Sequence, residues 1–203
     1  MNKTAQIVIA ALIIGGIIGY SFGGNKPVSK PATQEKAMVQ PEVKKNSKEW
    51  KIQNAMSAAT EVVSKKATVL DWPAKDGGDF VTLRKGTNDW TCLPDDPTTP
   101  GNDPACVDKT AMQWFQAYMT KSQPNIAQAG LAYMLQGGAS ASNTDPFATK
   151  PAKGESWMNA PAHIMIFPTG KLDPQVYGTD AMHGGPWIMW AGTPYEHLMV
   201  PVK

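Results

Sequence analysis

The sequence is poor in arginine, in cysteine and in recognisable catalytic motifs. Arg84 is its single arginine. Proteins that bind nucleic acids use arginine-rich basic faces to neutralise phosphates, so we do not expect the folded part to bind DNA or RNA. Cys92 and Cys106 are the only cysteines, and a bridge between them would leave no thiol nucleophile. The chain has no G-x-S-x-G elbow, phosphate-binding loop or dinucleotide fingerprint, so no motif identifies a reaction.

Positive charge is concentrated at the N-terminus. Residues 1–50 contain seven lysines and three glutamates, a net charge of +4, whereas residues 51–203 contain 12 basic and 14 acidic groups, a net charge of −2. The basic character of the chain therefore belongs to its N-terminal tail and not to the part that is expected to fold.

The N-terminal tail begins with an apolar segment. Lys3 precedes the uninterrupted apolar run Ile7–Gly19, which is the layout of a secretory signal. The wider stretch 5–22 has 18 residues, near the lower limit for spanning a bilayer of about 30 Å. We predict that residues 1–24 are either a cleaved signal peptide or a retained membrane anchor, with residues 5–22 contacting the membrane.

Residues 25–49 are rich in lysine and proline and contain few large apolar side chains. Such a segment cannot bury enough surface to offset the entropy of ordering, so we predict a flexible spacer. A coil of this length reaches about 25–30 Å on average, enough to hold a domain away from a membrane. The composition changes near Trp50, and we predict a single domain over residues 50–203.

Hydrophobic spacing predicts two helices in this domain. Apolar residues recur every three or four positions in residues 50–67, and Met112, Phe115 and Met119 are expected to share one side of a helix over residues 108–122. Asp108 is placed to cap the second helix.

Seven short apolar stretches bounded by Gly, Pro, Asn or Asp predict strands. They are residues 67–72, 79–86, 90–93, 131–136, 163–167, 186–192 and 196–202. Regular crossover helices are lacking, so we predict an α+β fold: a small antiparallel sheet with one or two helices and long loops. The longest polar connection, residues 137–162, is expected to be either functional or held down by packing.

The two cysteines enclose a loop of unusual composition. The 13 residues between Cys92 and Cys106 include four prolines, and the loop joins a predicted strand to a helix start. Such a pair forms a disulfide in an oxidising compartment. Closing a loop of about 15 residues contributes roughly 3 kcal/mol in the chain-entropy model. We predict a Cys92–Cys106 disulfide, which strengthens the case for export.

The same loop offers carboxylates for a metal ion. Asp95, Asp96, Asp103 and Asp108 have the oxygen ligands that calcium prefers. Their spacing does not follow the pattern of a calcium-binding hand. The alternative is that Asp and Asn next to Pro and Gly form turns by bonding to their own backbone.

Two histidine–methionine pairs suggest a second metal. His163 and Met165, and likewise His197 and Met199, are two residues apart in predicted strands, so each pair shares a face. Imidazole and thioether ligands suit Cu(I). The alternative is that the methionines fill an irregular core and the histidines are structural.

An enzyme and a binding domain make different predictions for these residues. A hydrolase requires His163, His197 and Glu196 to converge in one open cleft. A binding domain would have buried histidines and an exposed aromatic patch. Trp157 lies in the long polar connection and is our candidate binding residue.

Several stretches resemble a family of exported bacterial proteins. They are WTCLPDDP with the following DPxC pattern around the cysteines, SNTDPFAT (142–149) and PYEHLM (194–199), and the likeness covers most of residues 50–203. The resemblance implies a bacterial, exported, single-domain protein. It brings no assigned activity, cofactor or catalytic residue.

Together these features predict a bacterial envelope protein. We expect a non-catalytic domain that binds a ligand or partner, either anchored in the inner membrane and facing the periplasm, or free in the periplasm if the leader is cleaved. The alternative is a small periplasmic hydrolase or a metal-binding protein that uses His163 and His197.

Overall fold

The fold is that of a computed structural model, which describes residues 43–75 and 78–202. The predicted signal peptide or anchor (residues 1–24), the predicted membrane contact (residues 5–22) and most of the predicted spacer lie outside these residues. Within the described ranges, no helix is both long enough and apolar enough to cross a membrane.

The described part of the chain contains four helical segments and ten strands. The helices are α1 (Lys48–Met56), α2 (Glu61–Ser64), α3 (Lys109–Met119) and α4 (Pro174–Tyr177). The strands are β1 (Thr68–Asp71), β2 (Val81–Arg84), β3 (Thr91–Leu93), β4 (Ala105–Val107), β5 (Gly130–Met134), β6 (Gly138–Ser140), β7 (Met158–Ala160), β8 (His163–Phe167), β9 (Trp187–Met189) and β10 (His197–Pro201).

Eight strands form one sheet in the order β2-β1-β3-β4-β5-β8-β10-β9, and β6 and β7 form a separate hairpin. The α+β class is confirmed, but the predicted small antiparallel sheet is larger than expected, and one of its strand pairs is parallel. Strands β1 and β3 are parallel, because the chain reverses between β1 and β2 and again between β2 and β3, and β3 then pairs with the free side of β1. Besides the two longer helices, α2 and α4 have four residues each, so the expectation of one or two helices was also too low.

The predicted helix over residues 50–67 is interrupted. Helix α1 ends at Met56, and Thr60 is extended before α2 begins at Glu61. The intervening turn serves a tertiary contact, since the Ala58 carbonyl accepts a hydrogen bond from the Leu135 amide at 2.9 Å. A continuous helix would have used that carbonyl internally.

Helix α3 begins where the sequence predicted. The Asp108 carboxylate accepts a hydrogen bond from the Ala111 amide at 2.7 Å and caps the helix. The buried side is centred on Ala111 and Trp114, while Met112 and Phe115 only flank the core. The buried face of α3 is therefore rotated about the helix axis relative to the predicted stripe, because the large indole of Trp114 packs at the centre of the sheet face.

The sheet has a different cover on each face. Helix α3 packs over β4 and β5, where Val107 and Ala132 point toward Trp114. Helix α1 packs on the opposite face, over β1, β3 and β4, where both cysteines lie. Side chains along β8 alternate between these two faces of the sheet. Phe167 is buried on the α3 side, and Ile166 is half-buried on the opposite side.

Candidate ligand-binding cleft

The predicted disulfide is confirmed. Cys92 and Cys106 lie directly opposite each other on β3 and β4, with their Cα atoms 4.0 Å apart and their side chains bonded. Both residues are fully buried. The bond is compatible with an oxidising, exported environment.

The proline-rich loop is held together by its own carboxylates. The buried Asp103 carboxylate accepts hydrogen bonds from the Asp96 amide (3.0 Å) and the Thr99 hydroxyl (2.6 Å). Asp95 accepts a hydrogen bond from the Asp103 amide at 3.1 Å. Burial raises the pKa of Asp103 above its usual value. The aspartates thus form turns, as one of the two sequence interpretations held.

The four predicted calcium ligands have separate partners. Asp95 and Asp103 order the loop, Asp96 binds the amide and hydroxyl of Thr98, and Asp108 caps α3. In residues 43–75 and 78–202, no three His, Cys, Asp or Glu side chains are grouped so that they could hold a metal ion.

His163 and His197 lie in the core. They are 1% and 2% exposed, respectively. The Nδ1 atom of His163 hydrogen-bonds with the Pro161 carbonyl at 2.6 Å, and that of His197 with the Tyr195 carbonyl at 3.0 Å. Burial lowers both pKa values, that of His197 to about 4. Both rings are therefore neutral near pH 7 and sit where a substrate cannot reach them.

The alternation that placed each histidine beside a methionine is confirmed. Met165 and Met199 are direct neighbours across β8 and β10, and they face the α3 core with His163 and His197. Aromatic rings enclose His197, with the centroids of Trp114 and Trp190 5.4 and 5.1 Å from its own. The methionines pack in the core, and copper binding stays a prediction.

The Glu196 carboxylate binds two backbone amides and so has a structural role. Its two carboxylate oxygens accept hydrogen bonds from the amides of Leu172 (3.0 Å) and Gly192 (2.8 Å). Across the described residues, no hydrogen bond joins it to His163 or His197. The structure therefore does not assemble the three candidate catalytic residues in one open cleft.

An open cleft lies at the end of the long connection instead. Its volume is about 430 Å³, and it is lined by residues 141–143, 154–156 and 179–182 together with Met158. These segments leave β6, enter β7 and precede β9. The predicted binding residue Trp157 is half-buried beside this cleft, between two lining residues, but is not itself part of the lining.

One wall of the cleft is fixed by two tryptophans. The Asn143 side chain accepts a hydrogen bond from the Trp187 indole at 3.1 Å and donates one to the Thr179 carbonyl at 2.8 Å. The Trp190 amide donates to the Asn143 carbonyl at 2.9 Å, and its indole donates to the Ser142 carbonyl at 3.0 Å. The connection of residues 137–162 is thus pinned to the sheet at this point.

Trp190 has an uncommon backbone conformation. Its φ angle is +56°, in the left-handed region that non-glycine residues seldom occupy. Such a conformation costs of order 1–3 kcal/mol and persists only where the surroundings hold it. Here the contacts to Ser142 and Asn143 hold it, together with stacking on Tyr118 at 5.2 Å.

The other side of the cleft is open and polar. Glu155, Ser156 and Asp180 are exposed, and Met182 is 82% exposed. One oxygen of Asp180 accepts a hydrogen bond from the Met182 amide at 2.8 Å. Among the described residues, the Glu155 carboxylate and the Ser156 hydroxyl have no hydrogen-bond partner.

An aromatic patch lies next to the fixed wall. Phe147 is 38% exposed and stacks on Tyr118 with the ring centroids 5.7 Å apart, while the Lys121 ammonium lies 5.2 Å from the Phe147 centroid. The Tyr118 hydroxyl donates to the Pro146 carbonyl at 2.8 Å, and burial raises its pKa to about 12.

Comparison with protein-family models, curated proteins and solved structures finds no match to this chain.

Asn143, Glu155 and Asp180 were not identified from the sequence. They come from three separate segments, and no motif joins them. The useful signal was the length of the connection at residues 137–162, which was expected to be functional or pinned. Asn143 lies within the SNTDPFAT stretch that carries the family resemblance.

Proposed function

We propose that this protein is a non-catalytic binding protein of the bacterial cell envelope, and that it takes a small polar ligand in the cleft of residues 141–143, 154–156 and 179–182. The observation that carries the proposal is the wall built by Ser142 and Asn143, which hydrogen bonds from two tryptophans hold in place. A preformed wall reduces the entropy lost on binding.

The size and lining of the cleft fit this role. A volume of about 430 Å³ falls in the range of small-molecule sites, about 300–1,000 Å³. Met158 and Ala181 give apolar contact, while Glu155, Ser156 and Asp180 give polar groups that select and orient a ligand. The aromatic patch around Phe147 extends the surface next to the fixed wall.

The positions of the former catalytic candidates support a non-catalytic role. His163 and His197 are buried, and Glu196 is bonded to two backbone amides. A general acid or base must come within hydrogen-bond reach of the substrate proton. None of these three groups faces the cleft.

Placement in the envelope rests on four features that agree. They are the apolar leader, the lysine- and proline-rich spacer, the buried disulfide and the resemblance to exported bacterial proteins. A disulfide that closes the fold needs an oxidising compartment to form. The spacer would allow an anchored domain to sample ligand away from the bilayer.

A second candidate function is Cu(I) binding, favoured by one observation. The Nε2 atom of His163 is buried and has no hydrogen-bond partner in the described part of the chain, and Met165 is two residues away on the same face. The variant His163→Ala, His197→Ala tests it, since a Cu(I) protein would lose metal affinity. Unchanged Cu(I) affinity would dismiss the site.

The cleft is tested by filling it. Small polar molecules are screened against the full chain in detergent micelles by ¹H–¹⁵N NMR, for the parent, Thr179→Trp and Thr169→Trp. Both threonines are exposed, but only Thr179 lines the cleft. We expect hits to shift the amides of residues 141–143 and 179–182, and to be lost only in Thr179→Trp. Hits that map elsewhere, or that survive in Thr179→Trp, would contradict the proposal.

A further inference from the structure

The charged groups that line the cleft have one sign. Glu155 and Asp180 are its only ionisable lining residues, and both are acidic and exposed. No lysine or arginine is among the lining residues. Clefts lined by charge of one sign concentrate the opposite charge, so the field at this site favours a cation.

These carboxylates also retain free acceptor oxygens. Asp180 uses one oxygen for the Met182 amide, and no hydrogen bond from a described residue reaches its other oxygen or either oxygen of Glu155. Asp103 in the cysteine loop differs, since both of its carboxylate oxygens accept hydrogen bonds from protein donors. Three carboxylate oxygens at the cleft therefore stay available to N–H donors of a ligand, and such charge-assisted hydrogen bonds are the strong ones.

The neutral groups of the wall are mainly engaged within the protein. The Asn143 amide nitrogen donates one of its hydrogens to the Thr179 carbonyl, and the Ser142 hydroxyl lies 3.3 Å from the Thr144 hydroxyl. The remaining surface comes from Met158, Ala181 and Met182. Methionine side chains adapt their shape to apolar groups, so this surface suits short methylene chains.

We propose that the cleft binds a small aliphatic amine, with its protonated nitrogen between Glu155 and Asp180 and its methylenes against Met158 and Met182. This inference rests on the proposed function, because it assigns a ligand class to the same cleft. It excludes a dicarboxylate or a phosphate ester as the preferred ligand.

Three probes of similar length and different charge test the ligand class. They are 1,4-diaminobutane, 1,4-butanediol and succinate, titrated by ¹H–¹⁵N NMR into the full chain in detergent micelles at low and high salt. We expect only the diamine to shift the amides of residues 141–143, 154–156 and 179–182 in a saturable manner. The diol and succinate are expected to bind at least about tenfold more weakly, and salt to weaken the diamine.

Charge removal tests the assigned residues. Glu155→Gln with Asp180→Asn is expected to weaken diamine binding at least about tenfold, because the neutral side chains cannot form charge-assisted hydrogen bonds. Glu61→Gln is the matched control, since Glu61 is exposed and pairs with Lys65 on helix α2. Its diamine affinity is expected to equal that of the parent.

The outcomes separate the ligand class from the cleft. A diol or succinate that shifts the cleft amides as strongly as the diamine would overturn the amine class and leave the binding function standing. Calcium that produces the same shifts and excludes the diamine would do likewise. A diamine that binds elsewhere, unaffected by the double variant and by Thr179→Trp, or a diamine that produces no saturable shift, would overturn the amine class. The binding function itself is decided separately, by the screen against Thr179→Trp.

Discussion

The Asn143 side chain accepts a hydrogen bond from the indole nitrogen of Trp187 at 3.1 Å. Asn143 belongs to the long connection after β6, and Trp187 begins the edge strand β9 of the main sheet. This single contact ties the cleft wall to the edge of the sheet. It links a core residue that is 1% exposed to a residue that lines the candidate site.

Replacing Asn143 by alanine tests this link. Asn143→Ala leaves the buried Trp187 indole without its acceptor, and an unsatisfied buried donor costs about 1–3 kcal/mol. We expect the free energy of unfolding, measured by urea denaturation, to fall by that amount. Asn159→Ala is the control, because Asn159 is exposed on β7 and should change stability little. Equal stability of the two variants would show that the contact is not formed.

The disulfide makes a second prediction. Replacing both Cys92 and Cys106 by alanine removes a crosslink with a sequence separation of 14, and loops of this length contribute about 3 kcal/mol in the chain-entropy model. Urea denaturation of the double variant should show a loss of that order. Because both sulfurs are buried, mild reductant should leave the folded parent oxidised. A parent reduced quickly under native conditions would contradict the buried crosslink.

The buried histidines predict acid sensitivity. Burial lowers the pKa of His197 to about 4, below the value of about 6.5 of an unfolded chain. Between these values the unfolded state binds the extra proton, so stability falls as pH falls from about 6.5 to about 4. The full shift corresponds to about 3 kcal/mol, and His163 acts in the same direction.

The variant His197→Phe isolates this effect. Phenylalanine cannot titrate, so the variant should lose less stability than the parent between pH 6.5 and pH 4. Thermal unfolding at a series of pH values measures the difference. His183→Phe is the control for the substitution itself, since His183 is exposed. A parent whose stability does not vary over this range would refute the buried neutral imidazole.

Neighbouring residues on β8 should differ in their cost of truncation. Phe167 is fully buried, with its ring centroid 4.4 Å from that of Trp114, and Phe→Ala in a core costs about 3–5 kcal/mol. Ile166 points to the opposite face and is only half-buried, so Ile166→Ala should cost clearly less. Urea denaturation of both variants gives the comparison. The reverse order would mean that β8 presents its other face to helix α3.

The predictions that succeeded rest on local signals. HIMIF at residues 163–167 is a short apolar run followed by Pro168, and the structure places β8 on those residues. Asp108 precedes an amphipathic run, and it caps α3. Such features depend on neighbours along the chain, so the sequence alone predicts them.

The failures rest on contacts between distant segments. Strand β4 was missed because three residues directly after a proline are too few to show alternation. The parallel pairing of β1 with β3 depends on which edge of β1 is left open, which no local pattern records. The cleft residues were missed for a similar reason, since Asn143, Glu155 and Asp180 meet only once the sheet has formed.

The central claim is that the cleft between residues 141–143, 154–156 and 179–182 binds a small ligand that carries a protonated amine. The most direct measurement is a crystal structure of the protein grown with 1,4-diaminobutane. We predict an ammonium group within hydrogen-bond distance of the Glu155 and Asp180 carboxylates, with the Ser142–Asn143 wall unchanged. A diamine bound elsewhere while the cleft holds only solvent would contradict this account.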